Sequence, residues 1–428
     1  MTSRVLIVGV TGFVGAALAQ RLLVAGIAVD GVSRRRPTAP IRHVALDLAG
    51  MTDAAAWRPH LRGIDAVVNC AGLLQDAPGE SVARVHRDAP AALFAACEAA
   101  GVRRVIQVSA VGVDREGGSD FARTKHAADL ALQERDLDWV ILRPSVIIGE
   151  GAYGGSALLR GLAALPFVPV MAGMPPLQPV LLDDVLASIE HFVAPTTPAR
   201  VALDLAGPES WRFEDLVAGF RRWMRWPPAR VLPLGAAPAT LMFKLGDAAA
   251  LLGWRPAMRT TAGQEMRRAA QADGAAWRAA VGFAPRGPST FFAARPASVQ
   301  ERWFARLFFV KPLLFATLAF FWFATGVICL GPGWRAGLAM MAEAGLTPAL
   351  AIIVVAAGAL CDLAIGGAIA FRRSARAGLY AAIAVSLAYA AIGTALLPRL
   401  WVEPMGALLK IVPLLALHLA ALAIVEDR

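Results

Sequence analysis

The first half of the chain alternates short apolar runs with segments whose apolar positions recur at helical spacing. The runs are rich in Val and Ile, are typical of strands buried on both faces, and cover 4–10, 27–32, 43–48, 64–72, 103–112 and 137–145. Residues 89–101, between two of these runs, show the clearest helical pattern. Strands that alternate with helices predict an α/β fold built on a doubly wound parallel sheet.

The chain after residue 300 has a different pattern, in which long apolar runs follow one another. They cover 311–331, 347–371, 377–397 and 404–425. Each approaches the ~20 residues that span the hydrocarbon core of a bilayer. This half predicts an all-α, multi-pass transmembrane four-helix bundle.

The flanks of the apolar runs predict the orientation of the bundle. Basic residues precede the first run and fill the turn between the second and third, at Arg302, Arg306, Lys311, Arg372, Arg373 and Arg376. Loops rich in Lys and Arg stay on the cytosolic side. The Arg- and Ala-rich composition is typical of a GC-rich bacterial genome. We therefore expect the cytoplasmic (inner) membrane of a bacterium, with the N- and C-termini in the cytosol.

These changes of pattern divide the chain into three predicted regions. Residues 1–235 form the sheet-based domain, 236–300 its C-terminal region and a linker, and 301–428 the membrane domain. The apolar segment 157–176 is interrupted by Pro166 and Pro169. We therefore expect it to form the wall or the lid of a pocket, in a small substrate-side region, rather than to cross a bilayer.

Composition narrows the class of protein. Hydrophobic residues make up 57% of the chain and charged residues 17%, which is too apolar for an ordinary soluble protein. The net charge of +10 comes mostly from Arg, without a basic stripe interleaved with aromatic residues, so we expect a lipid bilayer and no nucleic acid as a partner. The four Cys form no CxxC pair, and we expect no metal site. The chain begins with a strand pattern, so we expect no signal peptide.

Three glycines connect the first predicted strand to the helical segment after it, in the pattern Gly9-x-x-Gly12-x-x-Gly15. Glycine lets the chain turn tightly and approach a pyrophosphate, and the helix N-terminus offers free N–H groups to the phosphate oxygens. The strand before and the helix after distinguish a dinucleotide-binding turn from an ordinary glycine-rich turn. We predict that this turn binds a dinucleotide, together with the residues between the glycines, Thr11, Phe13 and Val14.

The end of the second predicted strand carries Ser33, Arg34 and Arg35. An acidic residue at this position would bind a ribose 2′-hydroxyl and favour NAD, whereas Ser and Arg suit the 2′-phosphate of NADP. Asp30 lies earlier, in the middle of the strand, where we do not expect it to reach the ribose. We predict NADP as the cofactor, with NAD as the alternative.

The remaining candidate residues follow the ends of later strands. Ligands of doubly wound sheets bind at the carboxyl ends of the strands. The predicted strands therefore bring to one crevice Asp47, Asn69, Ala71, Gly72, Ser109 and Pro144.

The same stretches carry a family resemblance. The segments "VTGFVG", "NCAG", "VSAVGVD", "FARTKHAADLAL" and "LRPSVIIGEG" resemble those of the extended, atypical short-chain dehydrogenase/reductases. They are most similar to the NAD(P)H-binding group that includes the nucleotide-binding accessory subunit of respiratory complex I. The resemblance covers residues 4–290 and implies a Rossmann sheet. It also implies that Asp47 lies near the adenine, that Asn69, Ala71 and Gly72 lie under the cofactor, and that 144–146 lie beside the nicotinamide.

The C-terminal part carries a second resemblance. Its apolar runs resemble the DoxX-like family of small four-helix membrane proteins, a known C-terminal partner of such reductase domains.

The helical segment "SDFARTKHAADL" departs from the reductase family at one position. Active members carry Tyr-x-x-x-Lys, in which the Lys binds the ribose hydroxyls and lowers the pKa of the Tyr, and the Tyr exchanges a proton with the substrate oxygen. Here the pattern reads Phe121-x-x-x-Lys125. The resemblance implies that Lys125 binds the ribose and that Ser109 is the accompanying Ser, but Phe121 has no proton to give.

Three interpretations of this departure are open. A substitute supplies the proton, with His126, Asp114, Tyr153 or a water as candidates; or the reaction needs no such proton; or the domain binds a dinucleotide without catalysis. The first two predict a membrane-anchored NAD(P)-dependent oxidoreductase or epimerase-like enzyme acting on a small lipophilic substrate. The third predicts a non-catalytic NAD(P)H-binding membrane protein, such as a redox sensor or an assembly subunit.

A further alternative is a small transporter with a regulatory nucleotide domain. Asp362 and His418 are ionisable residues within the apolar runs, and similar depth makes them candidates for an intramembrane pair. A membrane protein partner and a homo-oligomer both stay open.

Overall fold

The computed structural model describes residues 3–268 and 271–425. The chain divides into two compact units, Met1–Asp247 with Ala257–Ala305, and Ala248–Pro256 with Arg306–Arg428. We call the first the sheet unit and the second the helical unit. The boundaries expected from composition, at 235 and 300, stay a prediction.

The sheet unit contains a seven-stranded parallel sheet. Its strands and those of two small ribbons are β1 Arg4–Val8, β2 Ala28–Ser33, β3 Arg42–Ala45, β4 Ala66–Asn69, β5 Arg104–Val108, β6 Asp138–Pro144, β7 Ile147–Ile148, β8 Phe167–Met171, β9 Val180–Leu181, β10 Val201–Leu205 and β11 Arg230–Leu234. The order in the large sheet is β3-β2-β1-β4-β5-β6-β10. The predicted α/β fold with a doubly wound parallel sheet is confirmed.

Helices cover both faces of this sheet. The helices that begin in the sheet unit are α1 Phe13–Val24, α2 Ala54–Trp57, α3 Ala89–Ala100, α4 Asp120–Gln133, α5 Gly154–Ala163, α6 Leu182–Val193, α7 Phe213–Trp223, α8 Ala236–Leu251, α9 Thr260–Arg268, α10 Ala275–Val281 and α11 Pro288–Ala294, of which α1, α3 and α6 are among those packed on the large sheet. Alternate residues of each strand enter different cores: Val5 and Ile7 pack with α1 and α6, whereas Leu6 and Val8 pack with α3. This is why the strands read as continuous apolar runs.

The strands end earlier than their apolar runs suggest. The first run extends to residue 10, but β1 ends at Val8, because Gly9 has a φ of +83° and leaves the extended conformation. Likewise β4 ends at Asn69 and β5 at Val108. The apolar residues that follow form loops over the carboxyl edge of the sheet, and this edge carries the candidate site.

The helical unit consists mainly of long apolar helices. They are α12 Val299–Leu330, α13 Trp334–Glu343, α14 Pro348–Ala370, α15 Ala375–Leu396 and α16 Ile411–Ile424. Among the described residues, α12, α14 and α15 are long and apolar enough to cross a membrane. They match the first three predicted spans. The short helix α13 was not predicted.

The fourth predicted span, 404–425, is wrong in its extent. The helix α16 has 14 residues and begins at Ile411. Three residues limit it: Pro404 and Gly406, which has a φ of +60°, bend the chain, and Pro413 has no N–H for the carbonyl of Leu409. Val412 N–H therefore bonds to that carbonyl instead, at 3.2 Å, in a tighter turn.

Small residues let the apolar helices approach closely. A Cβ added to Gly326 of α12 would lie 2.6 Å from the carbonyl oxygen of Ala359 on α14. One added to Gly366 of α14 would lie 2.7 Å from the backbone nitrogen of Phe323 on α12. Backbone contact of this kind is how helices associate where no water can drive apolar burial.

Candidate functional site

The glycine turn between β1 and α1 has the geometry of a phosphate cradle. A Cβ at Gly9 would lie 3.0 Å from the backbone of Ala71, and one at Gly15 would lie 2.4 Å from the carbonyl oxygen of Gly9. No side chain caps the helix at Gly12, the N-cap of the 12-residue α1. The first N–H groups of α1 are therefore available to an anion, and the helix dipole favours one there. Thr11, Phe13 and Val14 are half-buried around this turn.

Asn69 fixes the turn after β4. Its side-chain amide donates to Gln107 Oε1 at 2.8 Å, and its Oδ1 accepts from the N–H of Ala71 at 3.2 Å. Asn69 and Gln107 are both buried. This arrangement sets the position of the Ala71 carbonyl, while Gly72 beyond it is exposed. Gln107 was not predicted, because a lone glutamine in an apolar strand carries no motif.

Lys125 joins the glycine turn to the centre of the sheet. It lies on α4 and is 5% exposed. Its Nζ donates to the carbonyl oxygens of Ala71 at 3.0 Å and Val108 at 2.8 Å, so it bridges the ends of β4 and β5. Burial lowers the pKa of Lys125 to about 8, although the carboxylate of Asp129 opposes this shift.

Phe121 packs against a buried histidine that the sequence did not single out. The rings of Phe121 and His86 meet edge to face with centroids 5.4 Å apart. His86 Nε2 accepts from the N–H of Leu73 at 2.8 Å, so the proton of the neutral ring lies on Nδ1, 3.2 Å from Thr124 Oγ1. Burial and the charge of Lys125 hold the pKa of His86 well below its ordinary value. His86 is therefore a neutral structural partner of Phe121.

Ser109 is held by an acidic residue that the sequence did not reveal. Its Oγ donates to Asp129 Oδ2 at 2.9 Å, and Arg143 Nε donates to the same oxygen at 3.1 Å. Asp129 is fully buried, and burial raises its pKa, although Arg143 and the Ser109 hydrogen bond oppose the rise. Because the hydroxyl proton of Ser109 is directed to Asp129, its oxygen is free to accept a hydrogen bond rather than to give one.

The residues considered as substitutes for a tyrosine lie in different places. Asp114 accepts from Arg143 at 2.7 Å. The hydroxyl of Tyr153 donates to the carbonyl of Thr11 at 3.2 Å, and its ring stacks on Phe13 with centroids 5.3 Å apart. Tyr153 therefore lies over the glycine turn. His126 is half-buried, next to Lys125 on α4.

The predicted adenine-side residues lie at the ends of two paired strands, where the N–H of Leu46 bonds to the carbonyl of Ser33 at 3.3 Å. Ser33 Oγ donates to the carbonyl of Arg35 at 2.6 Å and so folds back on its own turn. Arg34 forms an ion pair with Glu80 at 2.8 Å, and Arg35 is exposed. Asp47 accepts from the N–H of Ala49 at 3.1 Å and caps a short 3₁₀ helix.

Two other residues need separate mention. Asp30, expected not to reach the ribose, is buried in β2 between Arg4 and Arg42, each at 3.0 Å. Pro144 is buried at the end of β6, and its carbonyl accepts from the N–H of Val111 at 3.2 Å. The roles of the predicted site residues stay predictions.

The polar residues of the helical unit form separate pairs. Tyr389 donates to Asp362 Oδ1 at 3.2 Å, and Trp322 Nε1 donates to His418 Nε2 at 2.9 Å. The pair of Asp362 with His418 considered from sequence is therefore wrong. Depth along the helices placed the two residues at one level, but helix rotation gives each a different partner. Among the described residues, no group of His, Cys, Asp and Glu side chains could hold a metal ion.

Comparison with known families agrees with this division of the chain. A family model described as NAD(P)H-binding matches residues 9–162, and a model of the DoxX-like family matches residues 319–419. The chain joins an NAD(P)H-binding domain to a DoxX-like domain. That combination was predicted and is confirmed. The DoxX-like domain and the three long apolar helices indicate a membrane protein.

Relatives of the NAD(P)H-binding domain include reductases. The chain is 27% identical over 277 residues to ceramide reductase of Caulobacter vibrioides, covering 59% of this chain and 86% of the relative. It is also 27% identical over 245 residues to (4-alkanoyl-5-oxo-2,5-dihydrofuran-3-yl)methyl phosphate reductase of Streptomyces griseus, covering 56% of this chain and 81% of the relative.

Solved structures share the fold of this domain. A dTDP-4-dehydrorhamnose reductase from Bacillus anthracis in complex with NADP has a TM-score of 0.52 at 13% identity and covers 69% of this chain and 98% of its own. MoeE5 in complex with UDP-glucuronic acid and NAD has a TM-score of 0.51 at 19% identity. The match covers 69% of this chain and 100% of that structure's chain. Because one holds NADP and the other NAD, the fold is compatible with either nucleotide.

Proposed function

We propose that this protein is a membrane-anchored NAD(P)H-dependent reductase that acts on a carbonyl group of a lipophilic molecule. The observation that carries the proposal is Lys125, a buried ammonium at the carboxyl ends of β4 and β5, beside Ser109 and the glycine turn. A relative that acts as a ceramide reductase and a membrane domain in the same chain support a lipid as the substrate class.

The cofactor would be held at its pyrophosphate by the backbone. The N–H groups at the start of α1 would bind its pyrophosphate, since no side chain caps them. Lys125 would lie beside the ribose next to the nicotinamide, with its third N–H left for the substrate oxygen. When bound, the reduced nicotinamide supplies a hydride to the carbonyl carbon of the substrate.

Lys125 supplies the proton that the substrate oxygen then needs. Two N–H groups of its ammonium are donated to Ala71 and Val108. After the third proton leaves, the neutral amine still has two N–H groups, so both carbonyls keep their partners. Its pKa of about 8 lies near a physiological pH, where a general acid is most effective. Water then returns a proton to the amine.

Ser109 and Asp129 orient the substrate in this scheme. Since the Ser109 hydroxyl donates to Asp129, its oxygen offers a lone pair to a hydroxyl of the substrate or the cofactor. The carboxylate of Asp129 also stabilises the ammonium form of Lys125, one helical turn away. Asp129 acts through Ser109 and Lys125 and is a positioning residue.

The membrane arrangement belongs to the same proposal. Basic residues at the turn between α14 and α15, Arg372, Arg373 and Arg376, favour a cytosolic turn with both termini in the cytosol, in a bacterial inner membrane. The helical unit then holds the reductase at the surface from which a lipid is presented. Protease cleavage at 372–376 from the periplasmic side of intact spheroplasts would overturn this orientation.

The experiment uses the full-length protein in phospholipid vesicles with NADPH. We expect NADPH to be oxidised when a long-chain ketone is dissolved in the bilayer. The rate should be at least about tenfold lower with a short, water-soluble ketone, because only a long alkyl chain partitions the substrate into the bilayer. Nucleotide binding without oxidation by any long-chain ketone would contradict the reductase and favour the alternative below.

The alternative is a non-catalytic NAD(P)H-binding membrane protein. Phe121 favours it, because the ring that faces His86 lacks the hydroxyl of an acid. The Phe121→Tyr variant separates the two functions. If Lys125 is the acid, Phe121→Tyr should change turnover by less than about tenfold. A gain in turnover of 10² or more would mean that the native site lacks its acid.

A further inference from the structure

The loop between β4 and α3 crosses from the Lys125 side of the site to the adenine side. At one end, the N–H of Leu73 bonds to His86 at 2.8 Å. In the middle, Gln75 donates to Asp247 at 2.9 Å, and the carbonyl of Asp76 accepts from Arg259 at 2.7 Å. The loop is thus fixed at both points to elements of the same unit.

The far end of the loop is a tight turn that presents Glu80. The N–H of Glu80 donates to the carbonyl of Ala77 at 2.8 Å, and Gly79 has a φ of +81°. Pro78 and Gly79 occupy the two central positions, which is the sequence that a type II turn requires. Such a turn holds the residue that follows it in a defined position, so the carboxylate of Glu80 does not depend on a flexible segment.

Glu80 meets the residue at the tip of β2. Its Oε1 lies 2.8 Å from Arg34 Nη2. The side chain of Glu80 is 9% exposed, whereas that of Arg34 is 52% exposed. The carboxylate is therefore largely buried, while the guanidinium faces solvent. The carboxylate can accept a hydrogen bond from a hydroxyl group, and the guanidinium can bind a phosphate.

We propose that Glu80 is the residue that sets the choice between NADH and NADPH at this site. Glu80 accepts a hydrogen bond from the 2′-hydroxyl of NADH, the role for which a doubly wound sheet ordinarily uses an acid at the tip of β2. The 2′-phosphate of NADPH binds Arg34 and is repelled by Glu80. The opposed effects make the site accept both nucleotides. This inference rests on the proposed nucleotide-binding function.

The charges of Glu80 and of the 2′-phosphate determine which nucleotide gains affinity when Glu80 is replaced. A phosphate monoester carries about −1.5 to −2 charges near pH 7. Glu80 offsets part of the attraction between Arg34 and this phosphate, because the two side chains form an ion pair at 2.8 Å. Removing the Glu80 charge without changing its shape therefore strengthens NADPH binding and weakens NADH binding.

The test compares the wild-type protein with Glu80→Gln, full-length and in lipid nanodiscs, by calorimetric titration with NADH and NADPH. We expect the ratio of the NADH to the NADPH dissociation constant to rise about tenfold, as for one unit charge at hydrogen-bond distance that is screened as in bulk water. Two ligands that lack the nicotinamide should show the same contrast. Adenosine 2′,5′-bisphosphate should bind Glu80→Gln more tightly than wild type, as NADPH does, and ADP should bind it more weakly, as NADH does.

Two controls keep the outcomes distinct. Glu134→Gln makes the same chemical change at the exposed C-terminus of α4 and should leave the ratio unchanged. Arg34→Gln should lower the ratio about tenfold by removing the cation. Equal shifts for both nucleotides in Glu80→Gln, or no shift, would overturn the inference alone. A wild-type protein that binds neither nucleotide would overturn the proposed function.

Discussion

The two units of this chain use buried polar groups in different ways. In the sheet unit, Ser109, Asp129 and Arg143 form a connected network beside Lys125, at the open edge of a parallel sheet. In the helical unit, Asp362 accepts a hydrogen bond from Tyr389, and His418 accepts one from Trp322. A network at an edge can pass or hold a proton, whereas an isolated pair satisfies its own hydrogen bonds within apolar surroundings.

This difference indicates that the reaction takes place in the sheet unit. Substitutions in the network should change turnover and its pH dependence. Substitutions in the pairs of the helical unit should change stability and leave the reaction of the folded protein intact. Each prediction that follows either sharpens this contrast or breaks it.

The largest effect is expected for Lys125→Met. It removes the ammonium while keeping an unbranched side chain of similar length. We expect turnover with a long-chain ketone to fall about 10³-fold, within the range for loss of a general acid, and NADPH affinity to fall by about tenfold. Steady-state kinetics and nucleotide titration measure the two effects. Lys244→Met, at an exposed position of α8, is the matched control. A turnover within twofold of wild type would contradict the role of Lys125.

The pH dependence of turnover is expected to follow Lys125. Burial lowers the pKa of its ammonium to about 8, and the donor is the protonated form. Turnover should therefore be constant below this pH and fall about tenfold per pH unit above it. A rate profile at saturating NADPH measures this. A profile that stays flat up to about pH 9.5 would mean that another group or water gives the proton.

Asp129→Asn should have a smaller effect of a different kind. The variant keeps an oxygen for Ser109 but loses the charge that raises the pKa of Lys125. We expect about tenfold lower turnover, an inflection of the pH profile at lower pH, and unchanged NADPH affinity. Asp120→Asn, at the exposed start of the same helix, is the control. An inflection that does not move would show that Asp129 has only a structural role.

The smallest effect on the reaction is expected from the helical unit. Trp322→Phe removes the N–H that His418 accepts, so the free energy of unfolding should fall by about 1–3 kcal/mol. NADPH affinity and turnover of the folded protein should stay within about twofold, because neither Trp322 nor His418 is among the residues proposed to act at the Lys125 site. Thermal unfolding and kinetics in nanodiscs measure both. Loss of turnover in stably folded protein would place chemistry in the bundle and favour the transporter alternative.

The parts predicted from sequence were those with local patterns. Apolar runs that alternate with helical segments identified the strands of the sheet. Gly9, Gly12 and Gly15 marked the turn at its edge, because a Cβ at Gly9 or Gly15 would lie too close to neighbouring backbone atoms. Lys125 was found because the segment around it resembles the Tyr-x-x-x-Lys helix of the reductase family, with Phe121 in place of the Tyr. Hydropathy found three of the spans, and Pro404, Gly406 and Pro413 were available as signals that the fourth is short.

The rest depends on tertiary contacts that no local pattern encodes. Glu80 lies 46 positions after Arg34, and nothing in either stretch indicates that they meet. Asp129 belongs to no motif in the sequence, and its burial depends on contacts with Ser109 and Arg143. Asp362 and His418 were paired by depth along their helices, but depth does not give the rotation of a helix.

The central claim is that the sheet unit binds a nicotinamide dinucleotide through the turn at Gly9–Gly15. Its most direct test is calorimetric titration of the intact protein in nanodiscs with NADPH and with NADH. The account predicts saturable binding of one nucleotide per chain, weakened by Lys125→Met and unaffected by Lys244→Met. An absence of binding for both nucleotides would contradict it, and the reductase and the non-catalytic alternative would be overturned together.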